Sequence, residues 1–428
     1  MAWLNLNPGC HVPKSLQEIT CFGEEEPADT KDIEPAQIEE IWRLTEQLYR
    51  SGAHPAIQLC IRHNGQRVLH RAIGHASGNG PDDPPGGPMV PVTLDTPINL
   101  FSASKAISAM VIHKLDEENA LRIDDRVCDY IPEFSSGGKY RITLRHVLAH
   151  QAGVPNLPPE ALNIDVFCKP EQVVDILCQA KLTSRPGRAL AYHAVTGGYI
   201  LAEVVKRATG KDMRELMEEK ISRPLGLFWL NCGVRPGQVD AVAKNALTGY
   251  PILPPLKQLL QRALGIPMRE VVELSNDPRF LTSIIPAANI CATADEVSHF
   301  YQCMLRSGEH NGESVFAPRT VRHATAEQSY WELDLTLGFP VRYSLGFMLG
   351  NRHLGILGGD NPFAFGHIGL SNVFTWADPE RGISISLLTT GKPIISPHVI
   401  PLFRLINGIN TTFKREFAEP PSEVFRKV

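Results

Sequence analysis

The apolar positions change period along this chain, and the changes divide it. Ile38, Ile41, Leu48 and Tyr49 recur at helical spacing, with Pro35 in the first turn and Gly52 beyond the last, which predicts a helix over 35–51. Two strand-like runs follow, 56–63 and 66–74, joined by Asn64-Gly65, a pair suited to the positive φ angles of a tight hairpin turn. Residues 78–91, "GNGPDDPPGGPMVP", read as a loop. From about 106 to 284 the patterns are mostly helical with many Pro and Gly breaks, as at 143–150, 171–180, 194–208, 213–220 and 256–264. A helix near 294–306 follows. The run "SNVFTWADPERGISISLLTTG" (371–391) predicts two strands around a turn at Asp378–Gly382, and a last helix falls near 397–411. Strands near both ends with a helical middle predict an α+β protein, in which an antiparallel sheet flanked by helices carries an inserted, mostly helical lobe. The expected division is an irregular tail over 1–30, an α/β lobe from 31–105 and 285–428, and the helical insertion over 106–284.

Composition narrows the function. The 428 residues are 43% hydrophobic and 21% charged with a net charge of −4, so no basic surface calls for nucleic acid. No apolar run approaches the roughly 20 residues that span a bilayer. The start of the chain lacks a basic segment followed by an apolar core, and nine scattered cysteines include no Cys-x-x-Cys pair, so a cytoplasmic protein with reduced thiols is expected.

The chemistry concentrates in three stretches. In "LFSASKAISA" (100–109), Ser102 and Lys105 are three residues apart at the start of an apolar helix, on one face. A serine hydroxyl is a weak nucleophile until a neighbour takes its proton, and a desolvated lysine can do so. The same spacing also fits a capping serine with a snorkelling lysine. Ser104, next to Lys105, points elsewhere on the helix. Tyr192 stands at the end of a loop before the apolar helix of "AYHAVTGGYILAEVV", placed either for packing or as a general acid/base. Gly366-His367-Ile-Gly369 is expected to open a strand whose free edge lines a cleft, with the N–H after Gly369 as an oxyanion donor.

Ser-x-x-Lys, then Tyr about 90 residues on, then His-x-Gly on a strand near the C-terminus resembles the serine β-lactamase-like superfamily, which includes class C β-lactamases, penicillin-binding DD-peptidases and family VIII carboxylesterases. "ALRIDDRVCDYIPEF", "ITLRHVLAHQAGVP", "RPGRALAYHAVTGGYILAEVVKRATGK", "ISRPLGL" and "ANICATADEVSHFYQCML" resemble further blocks of it, so the likeness runs from about residue 34 to 410. The resemblance implies a β-lactamase/DD-peptidase-like fold with its site in the cleft between sheet and helical lobe. It implies Ser102 as the acylated nucleophile. Lys105 would take the serine proton or lower the pKa of Tyr192, and Tyr192 would relay the proton to the leaving group. The N–H groups of Ser102 and Leu370 would form the oxyanion hole beside Gly369, and His367 would hold the third-motif position. It implies no metal or cofactor, and a small-molecule ester or amide as the partner.

Two departures shape the substrate. The family's third motif is often Lys-Thr-Gly, whose lysine holds a substrate carboxylate; here His367 replaces it. The second is usually Tyr-x-Asn, and here it is Tyr192-His193-Ala194, so the amide that would meet a lactam side chain is absent, with His193 as the available substitute. Both favour a neutral ester over anionic β-lactams or peptidoglycan stems. Amide hydrolysis, acyl transfer, weak β-lactam hydrolysis and a catalytically silent scaffold are the alternatives. His146-x-x-x-His150 has helical spacing but no third ligand, and reads as structural. No Gly-x-Ser-x-Gly elbow, dinucleotide fingerprint or P-loop occurs. The Pro-bounded segment 250–274 carries Leu256, Leu259, Leu260, Ala263 and Leu264 on one broad face. It is expected to pack on the helical lobe, with a lid or acyl-chain wall as the alternative.

Overall fold

A computed structural model describes residues 9–27, 33–158, 161–353 and 355–415. The strands Ala56–His63 and Gln66–Ser77 form the expected hairpin, with Asn64 and Gly65 both at positive φ. The hairpin pairs with Ile383–Thr389, and that strand continues through Val373–Asp378 and Phe365–Gly369 to the short edge strand Met348–Leu349. All of these pairings are antiparallel. The central pair joins distant parts of the chain, with Ile57 opposite Thr389 and His63 opposite Ile383.

Alternation along the strands explains the layering. Ile57, Leu59 and Ile61 face one way and pack with Ile383, Ile385 and Leu387 beneath the helices Pro35–Arg50 and Val399–Thr412, which also pack on each other. Ala56, Cys60 and Ala72 face the other way. Their small side chains let the helix Ala294–Leu305 lie close on the sheet, and the second core continues from there into the helices of the middle segment. The serine helix, Ser104–Glu117, lies almost wholly inside that second core, with Ile107, Met110, Val111 and Leu115 buried.

The expected irregular tail is corrected in part. Residues 1–8 and 28–30 lie outside the described residues, as do 416–428 at the other end. Thr20–Phe22, however, form a strand on the outer edge of Gln66–Ser77. Thr20 stands opposite Ile73 and Phe22 opposite Arg71, on the side of that strand away from its hairpin partner, so the short strand covers an otherwise open sheet edge. Arg71 fixes the cover: its guanidinium bonds Glu25 and Glu39 and lies over the rings of Phe22 and Trp42. All nine cysteines are free thiols. Among the described residues no helix is long and apolar enough to cross a membrane.

Candidate active site

The chain enters the site from Asn99 with a bend that a bulky residue rarely makes. Phe101 has φ +47°, in the left-handed region, and its N–H donates to Asn99 Oδ1 at 3.0 Å. A single 3₁₀ turn, Phe101–Ala103, then leads into the serine helix. Ser102 sits in that turn, and Lys105 Nζ lies 3.0 Å from its Oγ. The same Nζ also donates to the Ala287 carbonyl at 3.0 Å, and no carboxylate pairs with it among the described residues. Burial therefore holds the Lys105 amine well below the ordinary lysine pKa. Ser104 is occupied elsewhere: its hydroxyl, fully buried, accepts from the Ile290 N–H at 3.0 Å.

Tyr192 arrives on an extended segment pinned at three consecutive N–H groups. Ala191 donates to the His150 carbonyl at 3.0 Å, Tyr192 to Asp334 Oδ1 at 3.0 Å and His193 to His150 Nδ1 at 3.2 Å. The tyrosine ring carries Lys105 Nζ 4.8 Å from its centroid. His150, at 4.8 Å, and Tyr343, stacked at 6.5 Å, enclose it. Burial raises the phenol pKa; the Ser102 hydroxyl opposes that rise and the Asp334 charge adds to it.

The third stretch lies on a strand as expected: Gly366-His367-Ile-Gly369 fills the strand Phe365–Gly369 from its second residue to its last. Only Phe365 and Gly366 pair with the edge strand Met348–Leu349, so the edge beside His367–Gly369 lacks a ladder partner on that side among the described strands. Gly369 is required by a close approach, since a Cβ there would stand 2.2 Å from the Leu100 carbonyl. That approach lays Leu370 alongside Ser102, and both line one cavity. His367 is buried within 6.2 Å of the Tyr192 ring. Its Nδ1 bonds the Ile368 carbonyl at 2.8 Å, while Nε2 has no partner. Burial, with the Lys105 charge adding to it, pushes His367 down to about 3, so the third-motif position holds a neutral ring.

His193 does not replace the absent asparagine. Its Nε2 accepts from the Val154 N–H at 3.3 Å and its Nδ1 bonds the Ala191 carbonyl at 2.7 Å, so both ring nitrogens are used by backbone. His146 joins a capping interaction with Thr143, and no group of three or more metal-ligating side chains occurs among the described residues.

The cavity at Ser102 has a volume of about 90 Å³, and among the described residues no charged side chain lines it. Leu162, Phe167 and Phe280 form one side; Leu264, Val271 and Leu274, from the 250–274 segment, form another. The helix Leu256–Leu264 buries none of its residues, and of them Leu264 lines this recess.

Three residues of this cluster escape sequence reading: His150, Asp334 and Tyr343. Asp334 keeps to the polar positions of the alternating run "WELDLTLGF", and nothing in the sequence marks it as buried or names Tyr192 as its partner 142 positions away.

A family model described as Beta-lactamase matches residues 41–400. The Esterase/beta-lactamase LipL of Mycobacterium tuberculosis is 28% identical over 357 residues, covering 80% of this chain and 78% of that protein. A putative D-alanyl-D-alanine carboxypeptidase of Escherichia coli is 24% identical over 371 residues, covering 81% of each. Among solved structures, a penicillin-binding protein homologue from Caulobacter crescentus superposes with a TM-score of 0.73 at 25% identity, covering 91% of this chain and 100% of that one. A family VIII carboxylesterase superposes with a TM-score of 0.74 at 24% identity, covering 90% and 99%.

Proposed function

From the premise that this chain belongs to the beta-lactamase family, we propose that it is a serine hydrolase cleaving carboxylic esters through an acyl-enzyme on Ser102. The observation that carries the reading is the apolar, charge-free cavity at Ser102, beside a third-motif ring that is neutral. Such a lining accommodates an uncharged acyl group, whereas a substrate carboxylate would lose its hydration with no cationic side chain among the described lining residues to receive it. The esterase relative supports the same reading.

In this mechanism the neutral Lys105 amine takes the Ser102 proton as Oγ attacks the ester carbonyl. The tetrahedral oxyanion forms at the N–H groups of Ser102 and Leu370. Tyr192, kept protonated by its surroundings, gives its proton to the departing alkoxide, and Lys105 returns a proton to the phenolate. Water then attacks the acyl-enzyme by the same proton path in reverse, which frees the acid and restores Ser102. Acyl transfer would substitute an alcohol for that water.

The test is turnover of p-nitrophenyl butyrate by wild type and Ser102→Ala, with nitrocefin and a D-alanyl-D-alanine peptide alongside. Ester turnover that disappears in Ser102→Ala is expected, with slow turnover of the two carboxylate-bearing substrates. Faster turnover of the peptide than of the ester would instead establish the carboxypeptidase reading, which the Escherichia coli relative favours. A folded protein inert to all three and unlabelled by a fluorophosphonate would be a scaffold.

A further inference from the structure

Asp334 is fully buried, yet no cation pairs with it among the described residues. Four donors surround it instead. Oδ1 accepts from the N–H groups of Tyr192 at 3.0 Å, Thr336 at 2.8 Å and Leu337 at 2.9 Å; Oδ2 accepts from the Tyr343 hydroxyl at 3.2 Å. A buried carboxylate is tolerable only when so satisfied. Two of the bonds close the turn between Glu332–Leu333 and Pro340–Val341, a hairpin that otherwise exposes Trp331, Leu333, Leu335 and Phe339. Of the other two, one reaches the tyrosine loop and holds the backbone of Tyr192, and one holds Tyr343, just beyond the hairpin, whose ring stacks on Tyr192. The Leu335 N–H adds a bond to the Leu190 carbonyl at 2.9 Å, so the two loops are joined on both sides of the acid.

We propose that Asp334 is a positioning residue for Tyr192, fixing the phenol over Ser102 and Lys105 by clamping the tyrosine's backbone and its stacking partner Tyr343 to the 332–341 hairpin. The proposal rests on the role given to Tyr192 above. The cluster contains everything such a device requires: a rigid anchor, a bond to the backbone of the residue to be placed, and a second bond restraining the ring against which it lies. A shift of 1 Å in a proton-transfer group is enough to reduce turnover about 100-fold. The charge has a further effect, since it opposes ionisation of a phenol whose ring is also packed by Lys105, His150, His367 and Tyr343.

A four-member cycle tests this: wild type, Asp334→Asn, Tyr192→Phe and the double variant, each assayed for kcat and KM on p-nitrophenyl butyrate and for kcat against pH. Asn keeps the shape and the Oδ1 acceptor but replaces Oδ2 with an amide donor, so the Tyr343 hydroxyl loses its acceptor and the three N–H bonds to Oδ1 lose their charge assistance; a melting curve on each variant checks the fold. Asp334→Asn is expected to lower kcat about 10-fold with KM little changed and to move the alkaline limb of kcat to lower pH. In the Tyr192→Phe background the same change should cost less than 2-fold, because the group it positions is gone. An equal fall in both backgrounds, or wild-type kcat and pH profile in Asp334→Asn, would overturn the proposal. Full activity in Tyr192→Phe alone would sink the mechanism itself, a result separate from either. Tyr343→Phe, which breaks only the Oδ2 bond, should reproduce part of the kcat loss.

Discussion

Lys105 puts function and stability in opposition. Its folded-state pKa is depressed by burial, so below the unfolded value the unfolded chain binds more protons, and stability falls as pH drops from that value towards the folded one. At neutral pH the residue therefore costs stability, and Lys105→Met should raise the melting temperature while removing the base. Equal or lower melting temperatures for Lys105→Met would show that the two acceptors at the amine outweigh its desolvation. Lys105→Ala and Tyr192→Phe should each lower turnover by at least ~100-fold, the scale of a positioned acid or base. The sign of the pH effect follows: kcat/KM rises as Lys105 loses its proton, with a midpoint below that of an ordinary lysine, and this acid limb should be absent from Lys105→Ala. His367, pushed down to about 3, contributes no titration between pH 5 and 8. A histidine resonance at that site that moved across this interval would contradict the neutral-ring assignment.

At the scale of elements, local pattern was readable where the chain makes its own structure. The hairpin at Asn64-Gly65, the helix Pro35–Arg50 and the helix Leu256–Leu264 stand within a residue or a few of the pattern that predicts them. Ser102 and Lys105 were legible for the same reason, being one helical turn apart. What was not legible is what depends on distant partners: the edge strand Thr20–Phe22, which needs the outer edge of Gln66–Ser77, and the Asp334 clamp, which joins two loops far apart in sequence. The destination of the 250–274 segment was hidden too, since an amphipathic helix shows its apolar face but not what that face covers. Its end now lines the Ser102 cavity through Leu264, Val271 and Leu274. Leu264→Trp should fill part of the recess and move ester preference towards shorter acyl groups, lowering the hexanoate-to-acetate ratio of kcat/KM about 10-fold with little change in melting temperature. An unchanged ratio would return this helix to a purely structural role.

Across the whole molecule, the site depends on a sheet closed by the two ends of the chain. His367 and Gly369 are held by Val373–Asp378, that strand by Ile383–Thr389, and that one in turn by Ala56–His63, more than 300 positions earlier. The helices Pro35–Arg50 and Val399–Thr412 cover the outer face of this join. Contacts so distant in sequence form late, after most of the chain entropy has been lost, and they tie the sheet to the covering helices as one cooperative unit. The C-terminal helix gives a controlled test, since Ile409 is fully buried in that face whereas Phe403 on the same helix is 55% exposed. Ile409→Ala should cost about 2–5 kcal/mol, and Phe403→Ala should fall within about 0.5 kcal/mol of wild type. The loss in Ile409→Ala should appear equally in the circular dichroism melt and in the temperature at which ester turnover disappears, although Ile409 belongs to the core cluster on the sheet face opposite the serine helix. If the dichroism transition moved while the activity transition stayed, the helical lobe and the serine helix would hold the site without the terminal cover, and the sheet would not be the unit on which the site depends.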